Sequence, residues 1–122
     1  MKTRSLDSFP WVLVILGLAI TFPPMSRGQT GPPRKAADLY GYYCKGCHGA
    51  TGKGDTKLGQ KLGVPDFTSV KIQEKMADDQ MFKAIKDGIK KESVERMKPY
   101  GDKLNEEQIK GLVAYIRTLK TP

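Results

Sequence analysis

Cys44, Cys47 and His48 are the only cysteines and the only histidine in the chain, and they fall within five consecutive positions, Cys44-Lys45-Gly46-Cys47-His48. Two thiols at i and i+3 of a helical turn share a face and can bond one rigid ligand at two places. The imidazole that follows can then reach a metal at that ligand's centre. The spacing is the C-x-x-C-H pattern of covalent haem attachment, in which both thiols add to vinyl groups on one porphyrin edge and Nε2 binds the iron. A disulfide or a thioredoxin-type redox dithiol is the alternative for the pair. The first closes a loop too short to stabilise much by chain entropy, and neither accounts for the adjacent histidine. Zinc wants about four protein ligands, and no third cysteine or second histidine exists to supply them.

The elements that must position these side chains read as helical. Ala36, Ala37, Leu39, Tyr40 and Tyr43 recur at helical spacing up to the cysteines, with Pro33 or Arg34 opening the helix. Gly49 to Asp55 is built of loop formers, and glycine continues at Gly59 and Gly63 before Pro65-Asp66-Phe67. Thr68 or Ser69 can cap a short helix running to about Lys75. A clearer helix starts at Asp78 as N-cap, carries Met81, Phe82, Ile85 and Ile89 on one face, and stops at Gly88. Lys90 to Tyr100 is a charged stretch. The last helix has Asn105 as its cap and Gln108 completing a capping box, with Ile109, Leu112, Val113, Ile116 and Leu119 as one apolar stripe. No strand pattern, repeat or second domain is visible. The expected fold is all-α, with three to five helices and long glycine-rich loops wrapped around one haem. Loops of that length are usually functional, and glycine lets backbone approach a flat ring closely.

At 122 residues the chain has room for one domain and a leader. A core this small is marginal by area scaling, and a cofactor is one of the usual staples. Lys2 and Arg4 precede an apolar run from Trp11 to Ile20, followed by Pro23, Pro24 and small residues that suit cleavage after Gly28. The run is shorter than the about 20 apolar residues of a spanning helix. Residues 1–28 therefore read as a signal peptide, with a retained anchor as the alternative, residues 29–33 as a flexible tether, and residues 34–122 as the domain. Either reading of the leader puts the domain in the periplasm or elsewhere in the cell envelope. Removing the leader takes away Lys2, Arg4 and Arg27 against Asp7, so the charge falls from +8 to +6. That balance favours acidic partners, anionic lipid or nucleic acid, and export argues against nucleic acid.

Over residues 36–119 the chain resembles the class I cytochrome c family, in its small periplasmic monohaem branch. The resemblance rests on Leu39-Tyr40 before the Cys44–His48 motif and Gly49, on Gly52-x-Gly54-Asp55, on Phe82 to Gly88, and on Met97-x-Pro99-Tyr100 before Leu104 and Gln108-Ile109. It implies a fold whose first and last helices cross, Ala36, Ala37 and Tyr40 packing near Leu112 and Tyr115. It also implies haem c held by Cys44 and Cys47, with His48 and an axial methionine on the iron. No histidine remains for that position, and Met1 and Met25 leave with the leader. Met81 belongs to an apolar stripe and Met76 can serve either role. Met97, in a loop stiffened by Pro99, matches the family's ligand. The family also places a proline carbonyl on the ligating imidazole, for which Pro65 is the candidate. Two departures stand out. Lys98 separates Met97 from Pro99, and the only tryptophan lies in the leader, so Tyr42, Tyr43, Tyr100, a lysine or an arginine must meet the haem propionates.

These features point to a monomeric one-electron carrier and not an enzyme. Its partners would be redox proteins with acidic docking surfaces, approaching near Lys45, Lys53, Lys57 and Lys98. Membrane association follows only if the leader is retained. A haem subunit of a respiratory or photosynthetic complex is the alternative. If Met97 is not on the iron, a ligand-binding or peroxidatic haem protein is another.

Overall fold

In a computed structural model, residues 35–122 are described. The signal peptide expected over residues 1–28, the tether over 29–33 and a helix start at Pro33 or Arg34 lie outside the described residues. The chain first forms α1 (Ala36–Leu39), a π-helical turn (Tyr40–Cys44) and α2 (Lys45–His48), which run on from one another as a single helical stretch. α3 (Lys57–Leu62), α4 (Val70–Glu74), α5 (Asp78–Asp87) and α6 (Glu106–Thr118) follow, with an antiparallel pair β1 (Ile89–Lys91) and β2 (Val94–Met97) between the last two helices. The all-α expectation holds, with five helical stretches among the described residues. None of these helices is long and apolar enough to cross a membrane.

α6 forms for the reasons its sequence announces. The Asn105 side chain accepts from the Gln108 N–H, and the Gln108 side chain accepts from the Asn105 N–H. Ile109, Leu112, Val113 and Ile116 are buried and Leu119 packs beside them. α1 crosses α6 with Ala36 against Gly111, and the rings of Tyr40 and Tyr115 meet at 5.3 Å. α5 adds Met81 and Ile85 to the same core. Its N-cap is Ala77, while Asp78 and Asp79 occupy the first turn, where their charge complements the helix dipole.

Two elements depart from the expected loops. α3 forms around Gly59 because Thr56 caps it, its hydroxyl accepting from the Gly59 N–H, and because Gly63 closes it in the left-handed conformation. The β-hairpin replaces the charged loop expected between Lys90 and Tyr100, and it takes Ile89 off the α5 face assigned to it. Glu92 and Ser93 turn it with φ of 51° and 65°, the twist a two-residue hairpin needs. Ile89 opposes Met97 while Lys90 opposes Glu95, so a bulge leaves Arg96 as the extra residue of β2. The Arg96 guanidinium reaches across to the Leu62 carbonyl, 3.4 Å away.

Candidate functional site

Helix, loop and hairpin enclose a cavity of about 610 Å³, within the usual ~300–1,000 Å³ of ligand sites. Cys44, Cys47 and His48 form one wall and Met97 stands in the hairpin wall, with Pro65 between α3 and α4. Met81 is buried in the core, and Met76 packs against that core away from the cavity. Of the described methionines, Met97 alone lines the cavity.

The helical wall is rigidly tied. The π-helical turn ends at Cys44, and wide turns of this kind are frequent at functional sites. The Cys47 carbonyl accepts from the Thr56 hydroxyl at 2.9 Å, the His48 carbonyl from the Gly54 N–H at 2.8 Å, and the Gly49 carbonyl from the Tyr40 hydroxyl at 3.0 Å. Gly59 packs so closely on the Cys47 carbonyl that a β-carbon there would overlap it. Sequence reasoning missed Thr56, whose signal was a capping residue before a segment that its glycine had marked as loop.

Cys44 and Cys47 are not joined in a disulfide. Burial, and then Cys47, pushes the Cys44 thiol up to about 12. A redox dithiol needs the opposite, a thiol whose pKa is lowered so that the thiolate can attack. Zinc fares no better, since no three His, Cys, Asp or Glu side chains cluster among the described residues. Burial pushes the His48 imidazole down to about 4, so it is neutral at pH 7 and holds the lone pair a metal requires. Its ring lies parallel to that of Phe67, centroids 4.6 Å apart and planes 12° apart. The hydrogen bond expected from His48 to the Pro65 carbonyl is not formed, and the buried Nδ1 has no partner. The Pro65 carbonyl instead lies beside Gly54, where a β-carbon would come within 3.6 Å of it.

Met97 is placed by backbone contacts on both sides. Its carbonyl lies against Gly88, and the chain beyond it is docked on the end of α5 by Tyr100 N–H to the Ile85 carbonyl (2.9 Å) and Gly101 N–H to the Lys86 carbonyl (3.0 Å). The Tyr100 hydroxyl donates to the Tyr43 carbonyl at 3.1 Å, and burial holds that phenol above its ordinary range. Tyr43 and Tyr100 line the cavity, whereas Tyr42 is 73% exposed and does not. Lys98 lines it together with Lys91 and Arg96, two cations that sequence reasoning did not assign. Lys45, Lys53 and Lys57 are exposed outside the lining.

Two thiols, a neutral imidazole and a thioether facing one cavity are the donor set for a covalently attached haem, so the residues present fit that group. Residues 31–116 match the family described as cytochrome c oxidase, cbb3-type, subunit III. The solved structure of the KustC0563 c-type cytochrome is 34% identical, with a TM-score of 0.65, and the match covers 71% of this chain and 99% of that one. A tyrosine-to-phenylalanine mutant of Kustc0563 matches at 34% identity and a TM-score of 0.62, covering 70% of this chain and 99% of the mutant. No curated protein matches. With 86 of its residues in one family match and a near-complete cytochrome superposed on its helices, the chain belongs to the cbb3-type subunit III family and is a small c-type cytochrome of the class I kind, a haem-based electron carrier.

Proposed function

We propose that the protein carries a single haem c, bonded through Cys44 and Cys47, with His48 and Met97 as the two side chains on the iron. In this reading it is a monomeric one-electron carrier between redox proteins of the cell envelope, located in the periplasm, and not an enzyme. When bound, the haem supplies a reversible one-electron iron couple. The chain's own residues set the conditions for it. His48 donates a neutral imidazole, and the Met97 thioether favours the reduced metal and raises the potential. The observation that carries the proposal is that Met97 shares a cavity with Cys44, Cys47 and His48 while Met76 and Met81 do not.

A second reading has support in the family match, whose description names an oxidase subunit. In that reading the same domain is a haem subunit of a membrane respiratory complex, and membrane attachment would come from a retained leader.

Potentiometric titration with the ferric visible spectrum tests the first proposal. A single one-electron wave together with the weak far-red band of methionine-bound ferric haem is the expected result. A high-spin ferric spectrum would remove Met97 from the iron and favour a ligand-binding protein. Co-purification with a membrane complex would favour the second reading.

A further inference from the structure

We infer that Gln73 is a positioning residue for the iron-binding imidazole, acting through the aromatic face of Phe67. The inference rests on the reading of His48 as an iron ligand. A ligating imidazole is normally held in plane by a hydrogen bond from its other nitrogen. Here the buried Nδ1 of His48 has no such partner, and the contact that defines the ring plane is the stack on Phe67, 4.6 Å between centroids with planes 12° apart. Turning the imidazole about its Cβ–Cγ bond would drive its edge into that ring.

Phe67 can set a plane only if it is itself held, and it is held at both ends of its backbone. Its N–H donates to the Gly52 carbonyl at 2.8 Å, and its carbonyl accepts from Gln73 Nε2 at 2.6 Å. Gln73 is 3% exposed, and the same amide nitrogen donates to the Ile116 carbonyl of α6 at 2.8 Å. Its orientation is determined by chemistry. Nε2 faces two carbonyls, while Oε1 faces the Arg117 guanidinium at 3.4 Å, so a flipped amide would set an acceptor against two acceptors. Arg117 also donates to the Gln73 carbonyl at 2.6 Å, to the Met76 carbonyl, and to the Asp78 carboxylate at 2.8 Å. The buried Gln73 amide, with both donors and its acceptor satisfied, holds one geometry, and Arg117 extends the network from there to the surface at Asp78. The last turn of α6 thereby fixes the ring against which His48 lies.

The test uses the haem-loaded protein and the proton NMR spectrum of its ferric form. The four haem-methyl shifts report the planes of the axial ligands, which a merely structural role would leave alone. Phe67→Leu keeps apolar volume and loses the flat face; Phe67→Tyr keeps the face. Gln73→Met and Gln73→Glu remove the amide donors at similar length. The expected result is an altered order or spread of the methyl shifts in Phe67→Leu and in whichever Gln73 variant accumulates. The methionine band should be retained, and Phe67→Tyr should keep the wild-type pattern. A wild-type pattern in Phe67→Leu overturns the inference, as does one in a Gln73 variant. Loss of thioether-bound haem, or of histidine ligation, in the unmutated protein would instead overturn the reading of the site, and the positioning role with it.

Discussion

The carbonyl oxygen of Met97 lies 2.6 Å from the point where Gly88 would carry a β-carbon, and the nitrogen of Pro99 lies 2.8 Å from it. Both are backbone atoms, so neither can turn away. Gly88 also has φ 74° and ψ −179°, a conformation essentially reserved for glycine. The glycine that ends α5 is therefore the seat on which the methionine segment rests.

Gly88→Ala should cost about 1–3 kcal/mol in backbone strain alone. It should also displace Met97 and weaken the methionine band of the ferric spectrum. Thermal unfolding of the loaded protein and that band are the two measurements. A variant with both unchanged would show that the segment is not held by this contact.

Cys44→Ser or Cys47→Ser should leave at most one thioether bond and a poorly accumulating protein, since the cavity of about 610 Å³ then loses a covalent anchor for its filling. Unmutated protein should keep its colour through acid-acetone extraction and denaturing electrophoresis. Colourless protein from a host able to mature c-type cytochromes would refute haem attachment.

Met97→Ala should lower the midpoint potential and open the iron to cyanide, azide or carbon monoxide, because no thioether competes. Met76→Ala and Met81→Ala should leave the spectrum nearly unchanged. Met81 is 4% exposed, so its truncation should cost ~2–5 kcal/mol by chemical denaturation. Loss of methionine ligation in Met76→Ala alone would reassign the ligand.

Burial raises the pKa of the Tyr40 phenol, whose hydroxyl donates to the Gly49 carbonyl. The folded state keeps this proton where the unfolded chain, titrating near 10, has released it. Its contribution to stability is thus complete below about pH 10 and is lost as pH rises further. Tyr40→Phe should cost ~1 kcal/mol at pH 7, because the Gly49 carbonyl keeps its bond from the Gly52 N–H, and should flatten the alkaline decline relative to the parent. Parallel stability curves above pH 10 would count against this role.

Lys98 lines the cavity, Lys53 is exposed in the loop after the attachment motif, and Lys120 is on the tail. With an acidic redox partner, stopped-flow electron transfer should slow as salt rises. Charge reversal at Lys53 should slow association more than reversal at Lys120, with spectrum and potential intact, while reversal at Lys98, in the cavity wall, should slow it and also shift the potential. Equal effects from all three would reduce the basic balance to a matter of solubility.

The parts of this structure legible in the sequence are those whose signals are local. Asn105 and Gln108 announce the start of α6, and Gly88 announces the end of α5. The Cys44–His48 cluster is legible because it is contiguous, and Met97 is reached through its match to the family's axial methionine, Met76 staying open until the fold places it away from the cavity. The hairpin was not legible. Its turn is Glu92-Ser93 without an Asn or Gly, and its strands are exposed on both faces apart from Met97, so no alternation of apolar and polar residues marks them. The partner of His48 was not legible either. The Phe67 stack and its hold by Gln73 join residues 48, 67, 73 and 116, and only the folded chain makes them neighbours.

That exposed hairpin gives the two walls of the cavity different lifetimes. Local opening is cheapest where few buried contacts oppose it, and the hairpin's tip, Glu92, Ser93 and Val94, is exposed and outside the cavity lining. The wall bearing His48 is tied down by Gly54, Thr56 and Tyr40 and opens only with the core. Backbone amides of the hairpin should therefore exchange with solvent on a much shorter clock than those of the cysteine helix.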